Sequence, residues 1–328
     1  TPNETNMEMA RDNWLTSHSA YEQTALHLYL AANNVIEAQN LNLFQFQYRI
    51  DHWPILPGYV DYVDGYSDSG IVFDTSVAIE EDSILQLHGT FDISEAAIGF
   101  HVVEFLLWGE NFAGVAPRPF SDYQPQDTLS AAQSDSGLTV EQLPNNRRRR
   151  LLLLTTELLL EEFVALQSNW ETISPQLQQQ IQGMDSAGIL SMLIEAISTN
   201  LTEEFLVQSL YPLLNGNFEE GIHSPFSYST QNTMAAQLST VENLLLEQTS
   251  SNGTTLDSIL ASLSDDFAGF FYSNFDASKE CLVVLYSNVE EFEDVQNNPQ
   301  SEFEIVECIN LLTNIIDYLE QVRFNISI

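Results

Sequence analysis

Apolar residues recur along most of this chain at intervals of three, four and seven, the spacing that lines them up on one face of a helix. Trp14, Tyr21, Ala25, Leu28, Ala32 and Val35 form the first such stripe and predict one long helix. Residues 40–75 break the pattern. Pro54, Pro57, Gly58, Gly65 and Gly70 interrupt any regular element there, while Trp53, Tyr59, Tyr62 and Tyr66 are costly to leave in water. This stretch reads as an ordered loop packed on the core. Helices are predicted again over Val77–His88 and Ile93–Trp108. Asp92 and Glu95 have the spacing of a capping box for the second of these, and Gly109 is placed to end it. An irregular, Pro- and Ser-rich stretch over Asn111–Asn146 precedes a long helix from about Arg147 to Trp170.

The second half repeats the helical period. Predicted helices cover Ala187–Leu214, Thr230–Gln248, Leu256–Leu263 and a Phe-rich segment through Phe267, Phe271 and Leu285. The last carries Ile305, Ile309, Leu312, Ile316 and Leu319 on a stripe suited to a bundle seam. No segment sustains two-residue alternation, so the expected class is all-α. Two helical bundles fit the pattern, an N-terminal one over 1–183 and a C-terminal one over 184–328, joined near Gly183.

Composition narrows the function. A 328-residue chain with 44% hydrophobic residues can bury more than one core. There are 47 acidic residues against 9 basic ones, and the formal net charge is −38. Such a surface repels phosphate backbones and anionic headgroups, so nucleic acid is excluded as a partner and direct binding to anionic lipid is disfavoured. The charge fits a surface adapted to salty water or a field that concentrates cations. The run Leu151–Leu154 is followed by Thr155, Thr156 and Glu157, too short an apolar stretch to cross a membrane. No secretory leader is read, and Thr1 looks like the start of a trimmed or mature chain. Cys281 and Cys308 lie on neighbouring helices flanking a turn at Asn297-Asn298-Pro299. A disulfide and two buried thiols both remain open.

The chemistry concentrates in the segment 93–108, which is apolar on nearly every face and therefore reads as buried. Within it His101 and Glu104 stand three residues apart, on the same face. A buried imidazole and carboxylate need a hydrogen-bonding group, an opposite charge or a metal. Imidazole with carboxylate suits zinc or iron. The plainer reading is a structural pair bonded to Arg or Tyr. No His-Glu-x-x-His, Gly-x-Ser-x-Gly or phosphate-binding glycine loop occurs, and six histidines are too few for a closed all-His site. Arg147–Arg150, four cations at a predicted helix start, either balance carboxylates or send one guanidinium inward to Glu104. Trp53 and Trp108 read as core or cleft wall, Asp61 and Asp122 as loop-capping groups.

The run Gly99-Phe100-His101-Val102-Val103-Glu104 followed by Phe105-Leu106-Leu107-Trp108-Gly109 resembles the Gly-x-His-x-x-Glu signature of the imelysin (imelysin-like peptidase) family. Further stretches in order are similar to it. These are Asp12-Asn13-Trp14 with Tyr21-Glu22-Gln23-Thr24, Trp53-Pro54-Ile55 with Tyr59–Val63, Arg118–Tyr123, and His223-Ser224-Pro225-Phe226-Ser227. The chain departs from the family pattern at Tyr228–Asn232, at Leu151 and at Phe218-Glu219-Glu220. The resemblance implies a two-bundle fold that arose by duplication. It implies an exported bacterial protein of the periplasm or outer-membrane envelope, often lipid-anchored and associated with iron uptake.

It also implies that His101 and Glu104 are the site pair, and that Arg147, Arg148, His223 and Ser224 match the family's secondary motifs. The expectation is a divalent or ferric ion, iron or zinc, held by His101 and Glu104 in a cleft between the bundles. Trp53, Asp61, Trp108, Arg118, Arg147, Arg148, His223 and Ser224 are the candidate cleft residues. Metal or small ligand and envelope iron-uptake proteins are the expected partners, with membrane association only through a lipid anchor. The alternatives are a metallopeptidase with His101 and Glu104 as catalytic residues, and a non-catalytic envelope interaction module.

Overall fold

The computed structural model describes residues 2–35, 43–111, 116–246, 255–263, 267–289 and 299–326. The described residues are helical with no named strand, and an isolated antiparallel bridge joins Val63 and Tyr66. The chain is all-α, as its periodicity requires. None of its described helices is long and apolar enough to cross a membrane. The turn residues Asn297 and Asn298 and the predicted helix end at Gln248 lie outside the described residues.

Two compact units form. The first comprises Thr1–Ser17, Phe44–Ser168 and Ser224–Ser227, and the second His18–Leu43, Asn169–His223 and Tyr228–Ile328. Gly183 lies inside the second.

In the first unit, the helix Phe100–Trp108 is buried at all nine positions. It is shorter than the predicted Ile93–Trp108. Asp92 does act as a local acceptor, but it turns the chain instead of capping a helix: its Oδ1 accepts from the N–H and O–H of Ser94. The carbonyl of Ser94 is taken by Leu56 N–H and that of Glu95 by Gly89 N–H, so these backbone groups bond neighbouring segments and not a helical turn. The helix begins only after Gly99, at φ 104°, and ends at Gly109, φ 69°. Trp14 donates its indole N–H to Phe100 O, and Arg11 donates to the carbonyls of Leu107 and Arg118. These bonds clamp the first helix, Glu4–Glu22, onto the buried one.

The loop read over 40–75 contains short helices Leu43–Asp51, Pro57–Val60 and Gly70–Phe73. They are too short and too interrupted by Pro and Gly to give a periodic signal. The helix predicted over Val77–His88 covers only Glu81–Leu87, because Asp74 holds Ser76 in a turn ahead of it.

The stripe expected to be one helix from Trp14 to Val35 is split after Glu22 and resumes over Ala25–Asn34. Within the second unit, the hydroxyl of Thr240 donates to the carbonyl of Gln23, which satisfies an acceptor freed by the break. The helix predicted from Arg147 starts at Pro144 and continues to Gly183. Proline suits a first helical position, since its missing N–H would have no partner there. Ser186–Asn200 continues through a wide-turned π stretch, Leu201–Leu210, into Tyr211–Leu214. Helices Thr230–Leu246, Leu256–Leu263, Phe267–Val289 and Pro299–Ile326 complete this unit. Its core gathers Phe205, Phe271, Phe275, Leu285 and the terminal stripe Ile305, Leu312 and Leu319. Cys281 and Cys308 form a disulfide between Phe267–Val289 and Pro299–Ile326, with their Cα atoms 5.6 Å apart.

Candidate metal centre

Gly99 explains how the His101 helix reaches its position. A Cβ there would lie 3.0 Å from the carbonyl of Ile50 and 3.2 Å from that of Arg49, at a φ that side-chain-bearing residues avoid. Its absence lets the start of the helix press onto the end of Leu43–Asp51. That contact delivers Asp51 to His101.

His101 lies between two carboxylates. Its Nδ1 is 2.9 Å from Glu104 Oε2, and its Nε2 is 3.3 Å from Asp51 Oδ1. The imidazole is fully enclosed, and Asp51 is 8% exposed. Burial alone makes the ring less basic, but hydrogen bonding and attraction from Asp51 and Glu104 outweigh it and raise its pKa above 6.5. Glu104 is completely buried and occupied on both oxygens. Oε2 faces His101, while Oε1 accepts from the N–H of Ser227 at 2.8 Å and its hydroxyl at 2.7 Å. Trp53 packs against the imidazole with ring centroids 4.9 Å apart, and Trp14 meets it edge-on at 6.4 Å.

This order fixes the tautomer. With Glu104 Oε2 as the acceptor, Nδ1 carries the hydrogen. In the neutral ring Nε2 is then a lone pair aimed at the lone pairs of Asp51. Two facing acceptors are stable only with a positive species between them, either a proton or a metal cation.

The arginines do other work. Neither Arg147 nor Arg148 bonds Glu104. Arg147 donates to the carbonyls of Ile71, Val72, Asp74 and Val77, closing the end of the Gly70–Phe73 helix. Arg148 grips Asp61 with two bonds, 2.5 and 2.9 Å, and Arg118 Nη1 lies 2.9 Å from the same carboxylate. Asp61 is thus a fully buried anchor for two guanidinium groups and not only a loop cap, although it also accepts from Tyr62 N–H. Trp108 and Arg118 line a cavity at the far end of the His101 helix.

In the second unit, His18 follows Trp14 by one turn of the first helix, and its Nε2 is 3.2 Å from Glu22. The rings of His18 and His223 stack with centroids 5.7 Å apart. Ser224, the next residue and part of the first unit, is fully buried.

Among the described residues, Asp51 and His101 of the first unit offer a metal ion a carboxylate oxygen and an imidazole nitrogen, and His18 and His223 of the second offer imidazole nitrogens. Sequence reasoning missed Asp51 and His18. Asp51 is a buried carboxylate at a helix C-terminus, where the macrodipole disfavours negative charge. That anomaly becomes visible only once Leu43–Asp51 is known to be helical.

The family model described as Imelysin matches residues 1–320 of the chain. None of the curated proteins compared with the chain matches it.

Proposed function

The chain belongs to the imelysin family, and from that premise we propose that it binds a metal cation, with Nε2 of His101 and the carboxylate of Asp51 as ligands. The observation that carries this reading is the 3.3 Å approach of those two acceptors as buried side chains. Glu104 serves as the orienting group. It holds Nδ1–H, turns Nε2 toward Asp51 and raises the basicity of the ring, the role carboxylates commonly play behind metal-bound histidines. Ser227 in turn holds Glu104.

The donor set, imidazole with carboxylate, suits ferrous iron and zinc. With the family's association, it supports an exported envelope protein that binds iron as an accessory to its uptake. The metallopeptidase reading has less support, because Glu104, the general base it would need, has both oxygens engaged.

Isothermal titration of chelator-treated protein with zinc and with ferrous iron tests the proposal. Wild type should take up one equivalent, and His101→Ala and Asp51→Asn should each weaken binding by about 100-fold or more. Equal uptake by wild type and His101→Ala overturns it.

A further inference from the structure

We propose that the cavity at the C-terminal end of the His101 helix binds a small zwitterion with an apolar group, the chemistry of an apolar α-amino acid. Its carboxylate would sit on Arg118, its ammonium by Asp64 and Glu110, and its side chain against Tyr62 and Trp108.

The cavity measures 630 Å³, within the range of small-molecule pockets (roughly 300–1,000 Å³). It uses none of the atoms of the proposed metal centre. All its lining residues belong to the first unit.

Arg118 is the first reason. Arg118 is 3% exposed and its Nη1 pairs with Asp61, yet among the described residues Nε and Nη2 donate to no acceptor. A guanidinium offers a planar fork of donors matched to a carboxylate, and a buried donor left without an acceptor is costly. The group is held in place rather than loosely hanging. Its Cζ stands 4.5 Å over the Tyr62 ring and 5.5 Å from that of Phe105. Its own N–H donates to Trp108 O, and its carbonyl accepts from Arg11.

Charge is the second reason. Arg118 and Arg148 are already balanced by Asp61 and Asp122, which lie beside them. The cavity lining adds Asp64 and Glu110, with Glu110 Oε2 accepting from Asp64 N–H. A simple anion would meet these two carboxylates and a chain of net charge −38. A simple cation would leave the Arg118 donors unanswered. A zwitterion satisfies both ends without changing the net charge of the site. The apolar remainder of the lining, including Val63 and Pro119, fits a hydrocarbon or aromatic side chain.

The test is isothermal titration of the full chain with L-phenylalanine, N-acetyl-L-phenylalanine and L-phenylalanine amide. The free amino acid should bind, and blocking either end should weaken it about tenfold or more, the loss of a charge-assisted hydrogen bond. The double variant Asp64→Asn/Glu110→Gln should weaken the free amino acid and the amide by a similar factor, and should bind the N-acetyl compound at least as tightly as wild type. Arg118→Lys, which keeps a cation beside Asp61 but removes the fork, should weaken the free acid and the N-acetyl compound. Zinc titration of both variants should match wild type, which separates failure here from failure of the metal reading. No binding of L-phenylalanine overturns the proposal, as does a blocked compound that binds as tightly as the free amino acid or an unchanged affinity of the free amino acid for the double variant.

Discussion

Glu104 joins His101 to Ser227, holding the imidazole Nδ1 at 2.9 Å through one oxygen and the Ser227 N–H at 2.8 Å through the other. A glutamine at 104 cannot serve both. Either its amide nitrogen meets Ser227 N–H, or it faces Nδ1–H and forces the other tautomer. Glu104→Gln should therefore weaken zinc binding about 10- to 100-fold while the protein stays folded. Titration alongside a circular-dichroism melt would show this, and unchanged affinity would remove Glu104 from the orienting role.

Gly99→Ala should act on the same centre without touching a ligand. The added Cβ would press on the carbonyls of Ile50 and Arg49 at a backbone angle of 104°. The strain is about 1–3 kcal/mol. Relief moves the start of the His101 helix away from Asp51. Lower thermal stability and weaker metal binding are expected together; a variant as stable and as tight as wild type would show that this contact does not set the geometry.

The histidines give opposite dependences on pH. Burial first, and then repulsion from a neighbouring imidazole, pushes His52 and His88 down to about 4. They are neutral in the folded chain, while the unfolded chain takes protons near the usual 6.5. Their contribution to stability is complete above about 6.5 and is lost as pH falls toward 4. His101 has a raised pKa, so its contribution is present below 6.5 and fades as pH rises through the raised value. Metal must displace that proton, so affinity should fall with falling pH and binding should release about one proton. Urea midpoints of metal-free protein between pH 4 and 7 should decline on acidification, less steeply in His88→Gln. Calorimetry in two buffers of different ionisation enthalpy counts the proton, and a buffer-independent heat would contradict the displacement.

The disulfide should matter to the second unit. Cys281 and Cys308 close a loop of 27 residues, for which chain entropy predicts about 3–4 kcal/mol of stabilisation. Cys281→Ser/Cys308→Ser should lower the unfolding free energy by that order, read from urea curves. A change below about 1 kcal/mol would mean that helix packing alone holds the pair together.

The order of amino acids by itself determined the helical class, the buried helix carrying His101 and Glu104, the seam at Ile305, Leu312 and Leu319, and the resemblance to the imelysin family. Those features are local. A three-four period, an apolar circumference and a run of motif residues are all written within a few turns of chain. The tertiary structure decided what each polar group answers to. It gave His101 its second carboxylate, Asp51, from 50 positions earlier, and gave Glu104 its support from Ser227. It sent Arg147 to carbonyls and Arg148 to Asp61, and it broke the first helix after Glu22. The physical reason is that buried polar groups are satisfied by whatever partner packing brings within about 3 Å. Sequence spacing fixes which groups need partners; only the folded chain chooses them.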